Sequence, residues 1–366
     1  MTIPMVDLKI QYQAIKKDVD AAISAIMENS AFILGPEGKV LEQEIAAYHG
    51  LKHAAGVSSG TDALHLALRA AGIGQGDEVI TTPFTFIATA EAISYVGAVP
   101  VFVDIEPDTL NMDVSLIGKK ITKKTKAVIP VHLFGHPVDM DGLMKIAREH
   151  KLKVIEDCAQ SFGAEYKGKK TGAFGDFGCF SFFPSKNLGC YGDGGMVATA
   201  GQEGADRLLS LRNHGSRVRY YHDEVGYNSR LDEIQAAVLR IKFKRIDEYN
   251  RKRQENAALY TKYLAGAGVR TPVVKEGSTH VFHQYTIMVK NRDKVKETLD
   301  AGKVTSSMVY YPVPLHLQKA YRDLGMKPGS LPKAEQAAAE VLSLPMYPEL
   351  TEEQIKTAAE AVKRAL

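Results

Sequence analysis

The feature that most constrains the fold is an alternation. Over the first two-thirds of the chain, short apolar segments alternate with helical stretches. Residues 78–81, 99–104, 127–131 and 152–155 read as buried strands, and 177–183 and 196–199 as two more. Residues 63–71 carry Leu64, Ala67, Leu68 and Ala71 on one helical face, and 140–150 form another helix. Strands separated by helices require crossover connections, so the expected fold is α/β, with a mostly parallel sheet covered on both faces. A long helical pattern starts near Asp232, with Ile234, Ala237, Val238 and Ile241 on its apolar side, and a charged helix comes after it. We place a domain boundary there: residues 1–245 form a large domain and 246–366 a smaller α+β unit. The smaller unit has a strand at 284–289 and a closing helix at 352–366.

Ligands in such sheets bind beyond the carboxyl ends of the strands. Asp157 stands just past one such end. Alone, a strand-end Asp reads best as a helix N-cap. Lys186 comes soon after the aromatic segment Phe180-Ser181-Phe182-Phe183. Partial burial there lowers the basicity of its amine and makes it a nucleophile, although most lysines are surface charges. Together the pair says more, because pyridoxal chemistry needs a lysine for a Schiff base and an acid at the pyridinium nitrogen. An anion site is available at Val57-Ser58-Ser59-Gly60-Thr61-Asp62, a small-residue loop opening the helix at 63. An ordinary Ser or Thr cap explains that loop equally well. Ser181 is a further phosphate contact or a plain strand serine.

Other signals read as structure. Gly72-Ile73-Gly74-Gln75-Gly76 comes after a helix and before a strand, the reverse of a dinucleotide loop, so it is a turn. His132 and His136 have helical metal spacing, but Pro130, Gly135 and Pro137 oppose a helix there. They and the pair His280 and His283 read as packed or surface histidines, and no metal is expected. The three cysteines, Cys158, Cys179 and Cys190, lack paired spacing and read as small core residues. A formal charge of +3 gives no footing for nucleic acid. The basic run at 119–126 reads as a solvated loop. No signal peptide or membrane span is visible, so the expected compartment is the cytoplasm.

At these residues the chain resembles the sugar aminotransferases of the DegT/DnrJ/StrS family, of pyridoxal-phosphate fold type I. The likeness is carried by 59–64, Thr82-Pro83-Phe84-Thr85-Phe86, 156–164, Ser181-Phe182-Phe183-Pro184-Ser185-Lys186 and Gly192-Asp193-Gly194-Gly195. It continues through 226–232, 311–316 and 343–346. The order and spacing of these pieces are far more specific than any one of them.

The resemblance implies a seven-stranded large-domain sheet and pyridoxal 5′-phosphate as cofactor. Lys186 and Asp157 would be catalytic, one forming the Schiff base and carrying a proton, the other pairing with the pyridinium. Phe86 would stack on the ring, and Gln160 would lie near its hydroxyl. Ser59, Gly60, Thr61 and Ser181 would hold the phosphate. Asn228 would reach it from a second subunit, which implies a homodimer with shared active sites. Arg230 would face the sugar nucleotide, and Tyr310, Tyr311 and His316 would line the sugar pocket. The partners implied are glutamate, with its product 2-oxoglutarate, and a nucleotide-linked keto sugar, with a UDP-linked 3-keto N-acetylhexosamine as the nearest match. Relatives with His at the Schiff-base position dehydrate sugars. Here it is Lys186, which favours transamination over the alternative of a sugar dehydratase or lyase.

Overall fold

The structure, a computed structural model, describes residues 2–366. Its centre is a seven-stranded sheet. In chain order the strands are β1 (His53–Val57), β2 (Glu78–Thr81), β3 (Val99–Phe102), β4 (Thr125–Val128), β5 (Lys153–Asp157), β6 (Phe177–Ser181) and β7 (Gly195–Thr199). Across the sheet the order is β1, β7, β6, β5, β4, β2, β3. Only β7 runs against the rest; it pairs antiparallel with both β1 and β6. β5 and β6 are adjacent and parallel, with Asp157 opposite Cys179. They are buried along most of their length, as a sheet covered on both faces requires.

The helices beside the sheet match its periodicity. They include α2 (Pro36–Tyr48), α3 (Gly60–Ala70), α4 (Ala88–Tyr95), α5 (Met140–His150) and α6 (Gln202–Leu211), while α1 (Leu8–Asn29) packs on a later helix at Val238. α3 packs against β6 and β7, with Ala63 through Leu68 buried. It begins at Gly60, three residues before the apolar periodicity does, because Ser59 caps it: Ser59 Oγ accepts the Asp62 N–H at 3.0 Å. The ladder of β4 stops at Val128 and not at residue 131. Pro130 has no N–H to donate, and pairing resumes only as an isolated bridge between Val131 and Asp157.

After α7 (Glu233–Phe243) comes the charged helix α8 (Ile246–Leu264). The rest holds α9 (Arg292–Gly302), α10 (Pro332–Glu340) and α11 (Glu352–Ala365), with a hairpin of β8 (Tyr285–Met288) and β9 (Val341–Leu344). Tyr260, Tyr285, Leu344 and Val362 share one core there, and Ile3 joins it from the other end of the chain. A second core joins these elements to earlier ones: Phe84 and Phe134 pack with Tyr321 and Val341. The three cysteines are buried and free. Among the described residues, no helix is long and apolar enough to cross a membrane.

Candidate active site

β5 and β6 deliver Asp157 and Lys186 to the same edge of the sheet. Asp157 is 5% exposed. Its Oδ2 accepts from Thr89 Oγ1 at 2.8 Å, and its Oδ1 accepts the Ala159 N–H at 3.1 Å. Burial pushes its pKa up, while these bonds and the Lys186 charge pull the other way. Lys186 shows the converse: burial lowers its amine to about 8, and the Asp157 carboxylate opposes that drop. Each charge therefore stabilises the other across a site that disfavours both.

Lys186 is held through its own backbone and through its neighbour Asn187. The Lys186 N–H donates to Phe183 O at 2.8 Å. Asn187, nearly buried, donates from Nδ2 to Asn250 Oδ1 at 2.8 Å and to Val281 O at 3.0 Å. With both amide hydrogens spent, the Asn187 oxygen accepts from His283 Nδ1, 3.2 Å away. That pattern assigns His283 as neutral with its proton on Nδ1. Burial foremost, then the neighbouring Lys186 charge, holds its pKa well below the ordinary histidine value. Sequence reasoning passed over Thr89, Asn187, Asn250 and His283 as site residues. Only the position of Asn187 beside Lys186 could have flagged any of them.

The mouth of α3 opens beside this pair. Ser59 O takes the Ala63 N–H and Ser59 Oγ takes that of Asp62. The N–H groups of Gly60 and Thr61 are left for an anion, where the helix dipole favours one. Gly60 is obligatory: a Cβ there would stand 2.5 Å from the Ser181 Cβ, so the end of β6 presses on the helix start. Gly195 serves the same packing, since its Cβ would meet Ser59 O at 2.2 Å. Ser181 thus stands at the helix mouth, and its Oγ accepts the Phe183 N–H at 3.4 Å, leaving its proton to donate. A lysine of lowered basicity, a buried carboxylate and a backbone anion cradle are what pyridoxal phosphate requires, so these residues fit that cofactor.

The other expected residues divide. Phe86, on the loop before α4, is 60% exposed, an apolar ring with no cover. Gln160 donates from Nε2 to the Tyr311 hydroxyl at 2.8 Å, and its Oε1 accepts the Phe134 N–H at 2.6 Å. Tyr311 stacks on Phe134, and Tyr310 lies beside it, half-buried. His316 stands apart. Its ring has no exposed surface, and its Nε2 meets Glu335 Oε1 at 3.1 Å, so it packs behind the wall and does not line an open pocket. Asn228 is exposed, and Arg230 donates to Asn213 Oδ1 at 2.8 Å without an ion-pair partner among the described residues.

His132, Glu156 and Cys158 cluster within metal-binding distance of one another. The donor atoms of His132 and Glu156 are committed elsewhere. Glu156 accepts the N–H groups of Gly172, Phe174 and Gly175 as well as His132 Nε2. His132 Nδ1 accepts the Val138 N–H at 3.1 Å, which fixes the proton on Nε2. The cluster is a clamp on the loop after β5.

Fold and site together define a pyridoxal-phosphate-dependent enzyme of fold type I. Residues 13–363 match the model of the DegT/DnrJ/EryC1/StrS aminotransferase family, and the chain belongs to that family. It is 51% identical over 364 residues to a UDP-N-acetyl-3-dehydro-alpha-D-glucosamine 3-aminotransferase of Acidithiobacillus ferrooxidans, covering 100% of this chain and 98% of the relative. It is 50% identical over 365 residues to a "pleiotropic regulatory protein" of Geobacillus stearothermophilus, covering 99% and 98%. Among solved structures, DesV of S. venezuelae superposes with a TM-score of 0.97 at 46% identity, covering 99% of this chain and 98% of that one.

Proposed function

We propose that the enzyme moves an amino group from glutamate to a keto sugar carried on a nucleotide, with a UDP-linked 3-keto N-acetylhexosamine as the preferred acceptor. The observation that carries this reading is the Lys186 amine, lowered to about 8, facing the buried Asp157 carboxylate beside the mouth of α3. Bound pyridoxal phosphate supplies an electron sink for the carbon that bears the amine. The chain supplies the rest. Lys186 Nζ is basic enough to take a proton from that carbon and acidic enough to return it near neutral pH. Asp157 Oδ holds a proton on the ring nitrogen. Gly60 N, Thr61 N and Ser181 Oγ would hold the phosphate, and Phe86 would cover one face of the ring.

The lysine at 186 supports transamination over dehydration, and the name of the A. ferrooxidans relative supports the choice of sugar. Asn228 and Arg230 stand on an outward-facing segment, which suits completion of a second copy's site in a homodimer. We assign the work to the cytoplasm, where activated sugar nucleotides and glutamate meet, and divide the chain into domains near residue 245.

A half-reaction followed by absorbance tests this. Glutamate should abolish the visible band of the loaded enzyme, with release of 2-oxoglutarate. After removal of the oxo acid, the UDP-linked 3-keto sugar should restore the band. If glutamate leaves the band unchanged, the donor or the reaction class is wrong. If only another keto sugar restores it, the acceptor is that sugar.

A further inference from the structure

Asp62 occupies the third position of α3, in the first turn at the mouth assigned to the phosphate. A carboxylate there suits the helix dipole, but it repels the dianion the mouth must bind. Its contacts show a second use. Asp62 Oδ2 accepts from two hydroxyls, Ser58 Oγ and, at 2.7 Å, Ser229 Oγ. Those hydroxyls lie 3.1 Å apart, and the Ser58 N–H also reaches Ser229 Oγ at 3.3 Å.

Ser229 is 1% exposed and sits between Asn228 and Arg230. Its N–H donates to Arg212 O at 2.9 Å, and the next contact along is an antiparallel bridge between Asn213 and Asn228. In an extended segment alternate side chains point to opposite faces. Ser229 turns inward to Asp62; Asn228 and Arg230 share the other face, where Arg230 donates to Asn213. One bond to Asp62 therefore fixes the height and twist of both outward residues. Hydrogen bonds to a carboxylate are of the stronger kind, and Ser229 is buried.

We propose that Asp62 is a positioning residue that joins this chain's phosphate cradle to the segment presenting Asn228 and Arg230 to a second copy, so that each site of the dimer is set partly by the other chain's Asp62. The proposal rests on the reading of Asn228 and Arg230 as residues of a shared site. It gives the carboxylate a task in trans that an N-terminal helix acid alone would not have.

Mixed dimers of two differently tagged chains test it. One chain is wild type; the other carries Lys186→Ala, so only the wild-type chain's lysine turns over. The silent chain then receives Asn228→Ala, Asp62→Ala or Ser229→Ala. The proposal expects Asp62→Ala and Ser229→Ala in the silent chain each to lower kcat/KM of the mixed dimer about tenfold. The pair together should lower it no further, because they remove one interaction. Asn228→Ala in the silent chain should also lower it. If Asn228→Ala lowers activity and neither Asp62→Ala nor Ser229→Ala does, the shared site stands and the role of Asp62 is refuted. If Asn228→Ala has no effect, the shared-site reading falls and takes the proposal with it. Ser229→Ala removes a single hydroxyl, so the test does not depend on the Asp62 variant folding.

Discussion

Gln160 joins two residues whose backbones lie in the left-handed region. It accepts from the N–H of Phe134 (φ 55°) and donates to the hydroxyl of Tyr311 (φ 59°). Left-handed φ at non-glycine residues costs about 1–3 kcal/mol each and is kept where the surroundings enforce it. Here the amide and the stacking of the two rings enforce it. The Tyr311 oxygen accepts, so its own proton is free to donate into the pocket, and burial raises its pKa enough to keep that proton on. Tyr311→Phe should lower kcat/KM for the keto sugar about tenfold, one hydrogen bond's worth, while the glutamate half-reaction changes little. Rates of the two half-reactions, measured separately, decide it; equal losses in both would place Tyr311 outside the sugar pocket.

Gly60 and Ser181 approach closely at the cradle. Gly60→Ala should push the helix start off β6 and weaken cofactor binding at least tenfold, since overpacking costs about 1–3 kcal/mol. Gly60→Ala with Ser181→Gly relieves the clash but gives up a hydroxyl, and should recover part of the loss. Cofactor dissociation constants from equilibrium dialysis report both. Unchanged affinity in Gly60→Ala would mean that the cradle lies elsewhere.

Uptake of pyridoxal phosphate by the apo-protein should track the Lys186 amine, because only the neutral amine attacks the aldehyde. The uptake rate should rise with pH and reach half its limit near pH 8. The Asp157 carboxylate raises the Lys186 pKa, so Asp157→Asn should move that midpoint down. Stopped-flow absorbance across pH 6–10, roughly the span around a lysine lowered by burial, gives the curve. A midpoint at the ordinary lysine value would show an amine open to water.

How legible these features were depended on what each rests on. β2 through β7 were visible because strands buried on both faces are continuous apolar runs. β1 was not, since His53-Ala54-Ala55-Gly56 has neither bulk nor β-branching. β9 and α10 lie in an alanine-rich stretch whose strand and helix adjoin one another with no break in the apolar pattern. Lys186 and Asp157 could be paired because both come after strand-like segments. His316 could not be placed, because a motif gives its position but not the direction of its ring, which here turns to Glu335. Thr89 and His283 reach the site across 68 and 97 residues of chain from Asp157 and Lys186 (157 − 89 and 283 − 186), a separation no local pattern reports.

The Glu156 clamp distinguishes a structural carboxylate from a metal ligand. Its Oε1 accepts the Phe174 and Gly175 N–H groups, each at 2.7 Å. Its Oε2 accepts Gly172 N–H at 2.8 Å and His132 Nε2 at 3.1 Å. Glu156→Gln would aim an amide N–H at one pair of these donors inside a site withdrawn from solvent. Leaving buried donors without an acceptor costs about 3 kcal/mol or more. The variant should therefore show a clearly lower urea midpoint, while any chain that remains folded still takes up cofactor at Lys186. The same wiring predicts the response to metal removal. His132 Nδ1 already accepts from Val138, and Nε2 carries the proton it gives to Glu156, so neither ring nitrogen is free for a cation. Dialysis against a chelator should leave the melting temperature and activity of the wild type unchanged. A drop that zinc restores would make this cluster a metal site and overturn the assignment.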